Sequence, residues 1–438
     1  MSPPPPVPPL QPQEGAARRR RLRRVERRGP QPTGGNQVQL LQGGDELFPA
    51  MVQAIAQARR HVWVATYIFH DGDVSKQVAD ALVAATQRGV AVSVVVDGFG
   101  AKGSLERLRA WFEPADIEFA VFRRADRWWQ VVQPGQLRRL HQKLCVVDDE
   151  VGFVGGINLL DDRFDLRHGW SERPRLDFAV SLRGPIVAQV AQTARAMFLR
   201  AKMGNAWRDE IGQLLRGAEP LAAARRILSS LRIAPAADAA PPDSALAPVR
   251  ATFVVRDNLR QRRAIELAYK QAIDSANRRI DIVCPYFYPG QHFRASLCRA
   301  AQRGVAVRLL LQGKADYRFA AMAAQVLYQE LLAAGVRVFE YTPAFLHAKV
   351  AVIDDDWATV GSSNIDPLSL LLNLEANVIV RDADFCATLA QRIESAFGEC
   401  REVVRPDLGV GWLAAVRRGF VAWTAYWFLR LAGISGRY

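Results

Sequence analysis

Two segments of the chain hold the residues best able to do chemistry. LHQKLCVVDDEVGFVGGIN occupies 140–158, and LHAKVAVIDDDWATVGSSNID occupies 346–366. Each sets a His and a Lys two residues apart ahead of an apolar run, then an Asp at +7 and an Asn after a Gly-rich turn. In extended backbone, positions i and i+2 share a face, so His141 and Lys143 point the same way, as do His347 and Lys349. Leu144 and Val146 point oppositely, into a core. Asp148 stands seven positions from His141, so an unbroken strand aims it away from the imidazole. Asp148 and Asp354 are therefore expected to fix the strand end and its turn. Asn158, in GGIN, and Asn364, in GSSN, are short polar side chains beside glycine, where a ligand oxygen can come close. A single His near a strand end reads as an ordinary satisfied histidine. With only six His in the chain, two that both meet Lys at +2 and Asp at +7 favour function.

The pattern does not fit a metal site. A lysine ammonium offers no lone pair, and neither segment has the HExxH or Cys/His spacing of zinc ligands. The five cysteines (145, 284, 298, 386, 400) are odd in number and scattered without a CxxC pair. They read as small core residues of a reducing compartment rather than a disulfide framework. No metal and no cofactor are expected. Two imidazoles and two ammonium groups without metal suit phosphodiester transfer. One neutral imidazole attacks phosphorus and forms a covalent phosphohistidine. The other gives a proton to the departing alkoxide, a step worth ~10²–10⁴-fold, and then deprotonates the incoming acceptor. The Lys and Asn pairs hold the non-bridging oxygens as charge develops. Water as acceptor gives hydrolysis, and an alcohol gives transfer.

These segments need elements to hold them. ELFPAMVQAIAQARRH has helical spacing, HVWVATYIF reads as a strand, DVSKQVADALVAATQRG as a helix and VAVSVVVD as a buried strand. The order returns in QRRAIELAYKQAIDSANRR, IDIVCPYFY, FRASLCRAAQRG and VAVRLLLQG. QRGVAV occurs at both 87–92 and 302–307. Its offset exceeds that between the two His by nine residues, an insertion expected in RWWQVVQPGQLRR of the first half. A duplicated unit predicts two similar α/β domains, at 36–215 and 251–405, joined by a Pro/Ala-rich linker at 216–250.

The formal net charge of +14 calls for anionic partners. Residues 1–35 are Pro-rich and then Arg-rich, with eight Arg against one Glu between Arg18 and Arg28. They read as a disordered tail, either simply solvated or an electrostatic tether to anionic lipid. At 406–438, Trp412, Val416, Phe420, Trp423 and Trp427 fall on one helical face, with Arg417 and Arg418 off it. That stripe suits packing on the protein's own core, or an amphipathic helix lying in a membrane surface, which its Trp and Arg content favours. No apolar run approaches the ~20 residues that span a bilayer, and no signal peptide is evident.

The two HxKxxxxD motifs, each followed by GG or GS and an Asn, resemble the phospholipase D superfamily. YIFHDGDV, VVVDGFGAKG, VRDN, PYFYPG, LLLQGKADYR and FLHAKVAVIDDDWATVGSSNIDPLSLLLNLEANV are similar to bacterial cardiolipin synthases, most of all the B-type lacking an N-terminal transmembrane hairpin. The similarity runs from about Val38 to Phe397. It implies two pseudo-symmetric phospholipase D-like αβα sandwich domains with the active site at their interface. The family's catalytic positions fall on His141, Lys143, Asp148, His347, Lys349 and Asp354. Asn158, Asn364 and Glu375 join them as expected substrate-side residues. Glu375 matches an acidic residue that orients a catalytic His in relatives, and Asp177, in PRLDFAV, is its first-half counterpart. The family's first-half His is usually the nucleophile, although pseudo-symmetry permits the reverse order. Many synthases carry Glu where this chain has Ala65, so any role of that Glu is absent.

The resemblance implies a phosphatidyltransferase on the cytoplasmic face of a bacterial inner membrane. It would join phosphatidylglycerol to a second phospholipid and release glycerol. The competing readings are a phospholipase D-type hydrolase of the same fold and a nuclease. Basic charge would serve the nuclease too, but the lipid-synthase-like segments and the Trp-rich C-terminus argue against nucleic acid.

Overall fold

The computed structural model describes residues 32–123, 138–166, 168–214, 249–257, 261–313, 328–366 and 373–404. Most of the expected N-terminal tail, the linker up to residue 248 and the C-terminal helix at 406–438 lie outside the described residues. The first strand, β1 (Thr33–Gln42), begins inside the stretch read as a tail to residue 35. Backbone pairing with a later strand orders Thr33 there.

After β1 come α1 (Gly43–Ala56), β2 (His61–Thr66), α2 (Asp73–Gln87), β3 (Ala91–Asp97), α3 (Leu105–Phe112) and β4 (Glu118–Phe122). The motif strand β5 (Leu144–Val147) and β6 (Val151–Gly155) follow. A two-residue hairpin pair, β7 (Phe164–Asp165) and β8 (Gly169–Trp170), precedes β9 (Phe178–Arg183) and the long α4 (Ile186–Leu214). The second half repeats the plan: β10 (Val249–Arg256), α5 (Ala264–Ser275), β11 (Arg279–Val283), α6 (Gln291–Gln302), β12 (Ala306–Gln312), β13 (Arg337–Tyr341), β14 (Val350–Ile353), β15 (Trp357–Gly361), β16 (Glu375–Arg381) and α7 (Ala383–Phe397), with a short β17 (Arg401–Glu402).

The strand order exposes the duplication. It runs β4-β3-β2-β5-β6-β9-β1 in the first half and β10-β16-β15-β14-β11-β12-β13-β17 in the second. Read outward from the β1–β10 junction, the two lists match strand for strand, with β17 added at the end of the second among the described residues. β2, β3 and β4 pair in parallel through helical crossovers, while β5, β6 and β9 form an antiparallel meander. The junction is brief, with Thr33 opposite Ala251 and Asn36 opposite Val249. Asn36 is fully buried, donates to the Val249 carbonyl and accepts from Ile186 N–H, so one amide ties both halves.

Residue choice explains the layers. β3 is a Val-rich run buried on both faces, as a central parallel strand must be. In α2, Val78, Ala79, Leu82 and Ala85 form the buried stripe. Helices α1, α2 and α3 cover the outer face of the first sheet with a core including Ile55, Leu82, Val94 and Phe112. The second half has its own outer core, including Ile273, Phe293 and Leu309. A third core belongs to both halves and joins Leu182, Val190 and Phe198 to Val360, Val378 and Leu389. Burial of this common layer fixes how one half sits on the other, and therefore what meets at the strand ends.

The insertion in the first half is larger than nine residues. Asp97 pairs with Phe122 and, in the second half, Gln312 pairs with Tyr341. By that equivalence, the stretch between β4 and the first motif is the lengthened one. Part of its excess is offset by a longer β12–β13 connection.

Candidate active site

Each motif histidine lies in extended chain just before its strand, and each is pinned to the opposite half. The His141 N–H donates to the Leu374 carbonyl at 3.0 Å, and Leu374 N–H donates to Arg139 O at 2.9 Å. Symmetrically, the N–H groups of His347 and Ala348 donate to Leu176 O, and Leu176 N–H donates to Phe345 O, all at 2.9 Å. These bonds set each histidine against the start of the other half's inner strand, where Asp177, just before β9, and Glu375, the first residue of β16, lie.

The imidazoles are held the same way. His141 Nδ1 lies 3.0 Å from Glu375 Oε2, and His347 Nδ1 lies 2.6 Å from Asp177 Oδ2. Each carboxylate comes from the half that does not contain its histidine. With Nδ1 so engaged, Nε2 is the ring nitrogen left for substrate. Glu375 is fully buried and also accepts from Ser362 Oγ at 2.5 Å. Its Oε2 thus faces both His141 and Ser362, while its Oε1 is buried without a hydrogen-bond partner. Gly156, the counterpart of Ser362, lies so close to Asp177 that a Cβ there would meet Asp177 Oδ1 at 2.3 Å.

Lys143 and Lys349 are almost fully buried, and each Nζ donates to the backbone carbonyl of its own motif histidine. The Tyr67 ring packs on His141, 5.0 Å between centroids, and lies 5.5 Å from Lys143 Nζ. Asn158 and Asn364 are buried, and Asn158 Oδ1 accepts from Ile68 N–H at 3.3 Å.

Asp148 and Asp354 are elsewhere. They sit past the far ends of β5 and β14, with left-handed φ of 55° and 51°. The Asp148 carboxylate accepts from the N–H groups of Arg59, Arg60 and His61 at 2.8, 2.8 and 2.9 Å. Asp354 does the same for Asn277, Arg278 and Arg279 at 2.9, 2.8 and 3.1 Å. The strand separates both from the imidazoles, as parity requires. Both carboxylates cap a turn there, away from the imidazoles with which the resemblance groups them.

The electrostatics of the two crossed pairs differ. Burial, with the Lys143 and Lys349 charges, pushes His141 below its usual range against the pull of Glu375. Burial opposes ionisation of Glu375, but the His141 charge and hydrogen bond, with Lys143, hold its carboxyl below the ordinary value. Asp177 is pushed up to about 7 by burial, against Lys349. His347 is driven well down by burial and by Lys349, Arg175 and Lys143. Burial also lowers Lys143 to about 7 and Lys349 to about 8. The charges of each half thus act on the imidazole of the other. Among the described residues, no three His, Cys, Asp or Glu side chains gather as metal ligands would.

Sequence reasoning missed Ser362, Tyr67 and Arg175. Arg175 is buried two residues before Asp177 and donates to Asp165. Its sequence signal was its place within PRLD, two residues before Asp177.

A family model described as cardiolipin synthase, PLD-like domain, matches residues 51–170 and 269–399. Cardiolipin synthase B of Salmonella typhimurium is 36% identical over 370 residues, 84% of this chain and 82% of that protein. The Escherichia coli K12 cardiolipin synthase B is 35% identical over the same shares. Cardiolipin synthase A of Pseudomonas fluorescens is 30% identical over 88% of this chain and 74% of that protein. Among solved structures, the phosphatidylserine synthase of Haemophilus influenzae superposes with a TM-score of 0.64 at 12% identity, covering 95% of this chain and all of that one. That likeness speaks to the fold.

Proposed function

The chain belongs to the PLD-like cardiolipin synthase family and is a phosphatidyltransferase, and from that premise we propose how its imidazoles divide the reaction. His141 Nε2 attacks the phosphorus of phosphatidylglycerol. The P–O bond to glycerol breaks, and the glycerol oxygen takes a proton from His347. A hydroxyl of a second phospholipid then gives its proton to His347 and attacks phosphorus. The N–P bond breaks, and cardiolipin leaves with His141 regenerated.

The crossed carboxylate–imidazole pairs carry this reading. With both members of the His141–Glu375 pair lowered, it keeps a single proton near neutrality, the one on Nδ1. Nε2 is then a free lone pair, and the fixed Glu375 charge balances the cation formed when that nitrogen binds phosphorus. Asp177, raised to about 7, lets the Asp177–His347 pair retain a further proton up to that pH, which suits an acid. Lys143 and Lys349, with Asn158 and Asn364, hold the non-bridging oxygens. Two α/β domains, at 36–215 and 251–405, each supply half of the site.

The enzyme works at the surface of an anionic bilayer, on the cytoplasmic face of the inner membrane. Phe99, Leu166, Trp170 and Tyr286 are large hydrophobics exposed by 37% or more. Phe99 and Tyr286 follow β3 and β11, at the end of the sheets where the histidines lie. Trp170 packs on Phe164, which in turn packs on His70. Such a rim suits lipid entry. Among the described residues, no helix is long and apolar enough to cross a membrane.

The test offers phosphatidylglycerol vesicles to the purified protein and follows lipids and glycerol by mass spectrometry. Cardiolipin with equimolar glycerol is expected. Phosphatidic acid alone would make the protein a hydrolase, and DNA cleavage without lipid turnover would make it a nuclease. Denaturing quench at alkaline pH during turnover should leave the phosphatidyl group on the His141 peptide. Its appearance on His347 would reverse the order.

A further inference from the structure

The pseudo-symmetry that builds the site is broken beside it, in charge. The backbone equivalences are tight. Gly98 N–H donates to Phe122 O at 2.8 Å, and Gly313 N–H to Tyr341 O at 2.9 Å. Leu140 N–H donates to Asp97 Oδ2 at 2.9 Å, and Leu346 N–H to Gln312 Oε1 at 3.1 Å. Asp97, Arg123 and Arg139 of the first half therefore occupy the places of Gln312, Thr342 and Phe345 in the second. Three ionisable residues stand where the duplicate has neutral ones.

A buried ion pair would be the plain explanation, and it falls short. Asp97 is fully buried, but its oxygens already accept from the N–H groups of Leu140, Phe99 and Gly100. Gln312 anchors the same motif from the equivalent place without charge, so the loop does not require a carboxylate–guanidinium pair. The geometry is loose, with Arg139 Nη1 3.8 Å from Asp97 Oδ1. Arg138 adds a third guanidinium. Arg139 is only 8% exposed, yet its Nη2 is buried without a hydrogen-bond partner, and so is Nη1 of Arg123. Buried, unsatisfied donors on neighbouring like charges are costly unless an anion completes them. Burial and repulsion from Arg138 and Arg139 lower Arg123, the mark of cations crowded together.

The cluster also faces the reaction. Arg139, His141 and Lys143 alternate along one extended stretch and so share a face. The Arg139 guanidinium lies 5.0 Å over the half-exposed Phe99 ring. A Cβ on Gly100, next to Phe99, would meet Tyr67 at 2.4 Å. Tyr67 in turn packs on His141. A continuous wall thus leads from the nucleophile to the arginines.

We propose that Arg123 and Arg139 form a second phosphodiester subsite, which holds the phosphate of the acceptor lipid while the transferred phosphate lies between the two His–Lys pairs. The inference rests on the phosphatidyl-transfer reading and names what that reading leaves open, the means by which a phosphate-bearing acceptor is chosen. Cardiolipin carries two phosphodiesters on one glycerol, so its synthesis brings a second anion beside the first. Guanidinium forks match phosphate oxygens and offset that repulsion. A site in one half alone fits a reaction in which one phosphate is attacked and the other only held. Water and neutral alcohols gain nothing from it.

The experiment supplies phosphatidylglycerol in detergent micelles with two competing soluble acceptors, isotope-labelled glycerol and glycerophosphoglycerol, the deacylated acceptor. Mass spectrometry reads the ratio of their phosphatidyl products. Arg139→Gln and Arg123→Gln should each lower the phosphate-acceptor product relative to labelled phosphatidylglycerol at least tenfold, with Arg139→Lys intermediate. The ratio is insensitive to the amount of active enzyme, so partial misfolding does not imitate the effect. A wild-type ratio in both Gln variants would overturn the subsite. Wild-type protein that makes neither product would instead overturn the transfer reading beneath it.

Discussion

Asp177 Oδ2 lies 2.6 Å from His347 Nδ1 across 170 residues of chain, and Glu375 mirrors it on His141 at 3.0 Å. Neither motif histidine takes its carboxylate partner from its own half. The crossed bonds tie each motif imidazole to the other half, and the shared core holds the halves in that contact.

Replacement of either carboxylate by its amide keeps the shape and removes the charge that fixes the imidazole tautomer. Asp177→Asn and Glu375→Gln should each lower kcat by ~10²–10⁴-fold, with thermal stability little changed. The effects should differ by step. Glu375→Gln slows formation of the covalent intermediate, whereas Asp177→Asn slows proton delivery and is partly relieved by a substrate with a more acidic leaving alcohol. Rapid-quench measurement of trapped phosphoprotein separates the two. Equal, leaving-group-independent losses would contradict the division of labour.

The pH profile should be lopsided. Asp177 at about 7, Lys143 at about 7 and Lys349 at about 8 all lose protons on the alkaline side. Activity therefore declines as pH rises through 7 to 8, as the acid and the phosphate-holding charges disappear together. His141 lies below its usual value, so the nucleophile stays neutral and the acid limb falls below ~6.5. Initial rates of headgroup release from pH 5 to 9 in charge-neutral detergent check this. A profile centred above pH 8 would be incompatible with it.

Much of this site was legible in the sequence because period 2 is unambiguous over short spans. His141 with Lys143 and His347 with Lys349 could be assigned one face, and Asp148 and Asp354 the far end, before any coordinates. The strand–helix order of each half was equally plain, since Val-rich runs buried on both faces alternate with helical stripes. The partners of the imidazoles were not derivable that way. Asp177 and Glu375 meet their histidines across the domain interface, and no local pattern encodes a contact over hundreds of residues. Resemblance supplied the acids, but motif position alone does not reveal that the Glu375 carboxylate points at His141. Ser362 was hidden for another reason: its hydroxyl meets Glu375 within the same half, 13 residues on, but a single letter of GSSN does not show where that hydroxyl points.

Gly156 gives a sharp steric test. A methyl group there would lie 2.3 Å from Asp177 Oδ1, so Gly156→Ala must displace the carboxylate that holds His347. A shift near 1 Å at a catalytic group is worth on the order of 10²-fold, and kcat should fall by about that much with KM little affected. Gly152, on the β6 strand that ends just before Gly156, is the control, because its added Cβ would first meet Val187 Cγ1 at 3.6 Å, an ordinary contact. Equal activity of Gly156→Ala and Gly152→Ala would mean that Asp177 placement does not limit the reaction.

Asp148 and Asp354 should matter to stability and not to the chemical step. Each carboxylate accepts three backbone N–H groups at a turn with left-handed φ. Burial opposes their ionisation, but those N–H bonds hold both carboxyls below the ordinary value. A depressed folded-state pKa contributes stability above the unfolded value of ~3.9, and that contribution is lost as pH falls through the folded one. Asp148→Asn or Asp354→Asn should therefore lower stability at pH 7 by about 2 kcal/mol, and the difference from wild type should shrink on acidification below pH 4. Turnover per folded molecule, measured well below the melting temperature, should stay within a few-fold of wild type. A loss of ~10²-fold or more at unchanged stability would return these residues to the catalytic group.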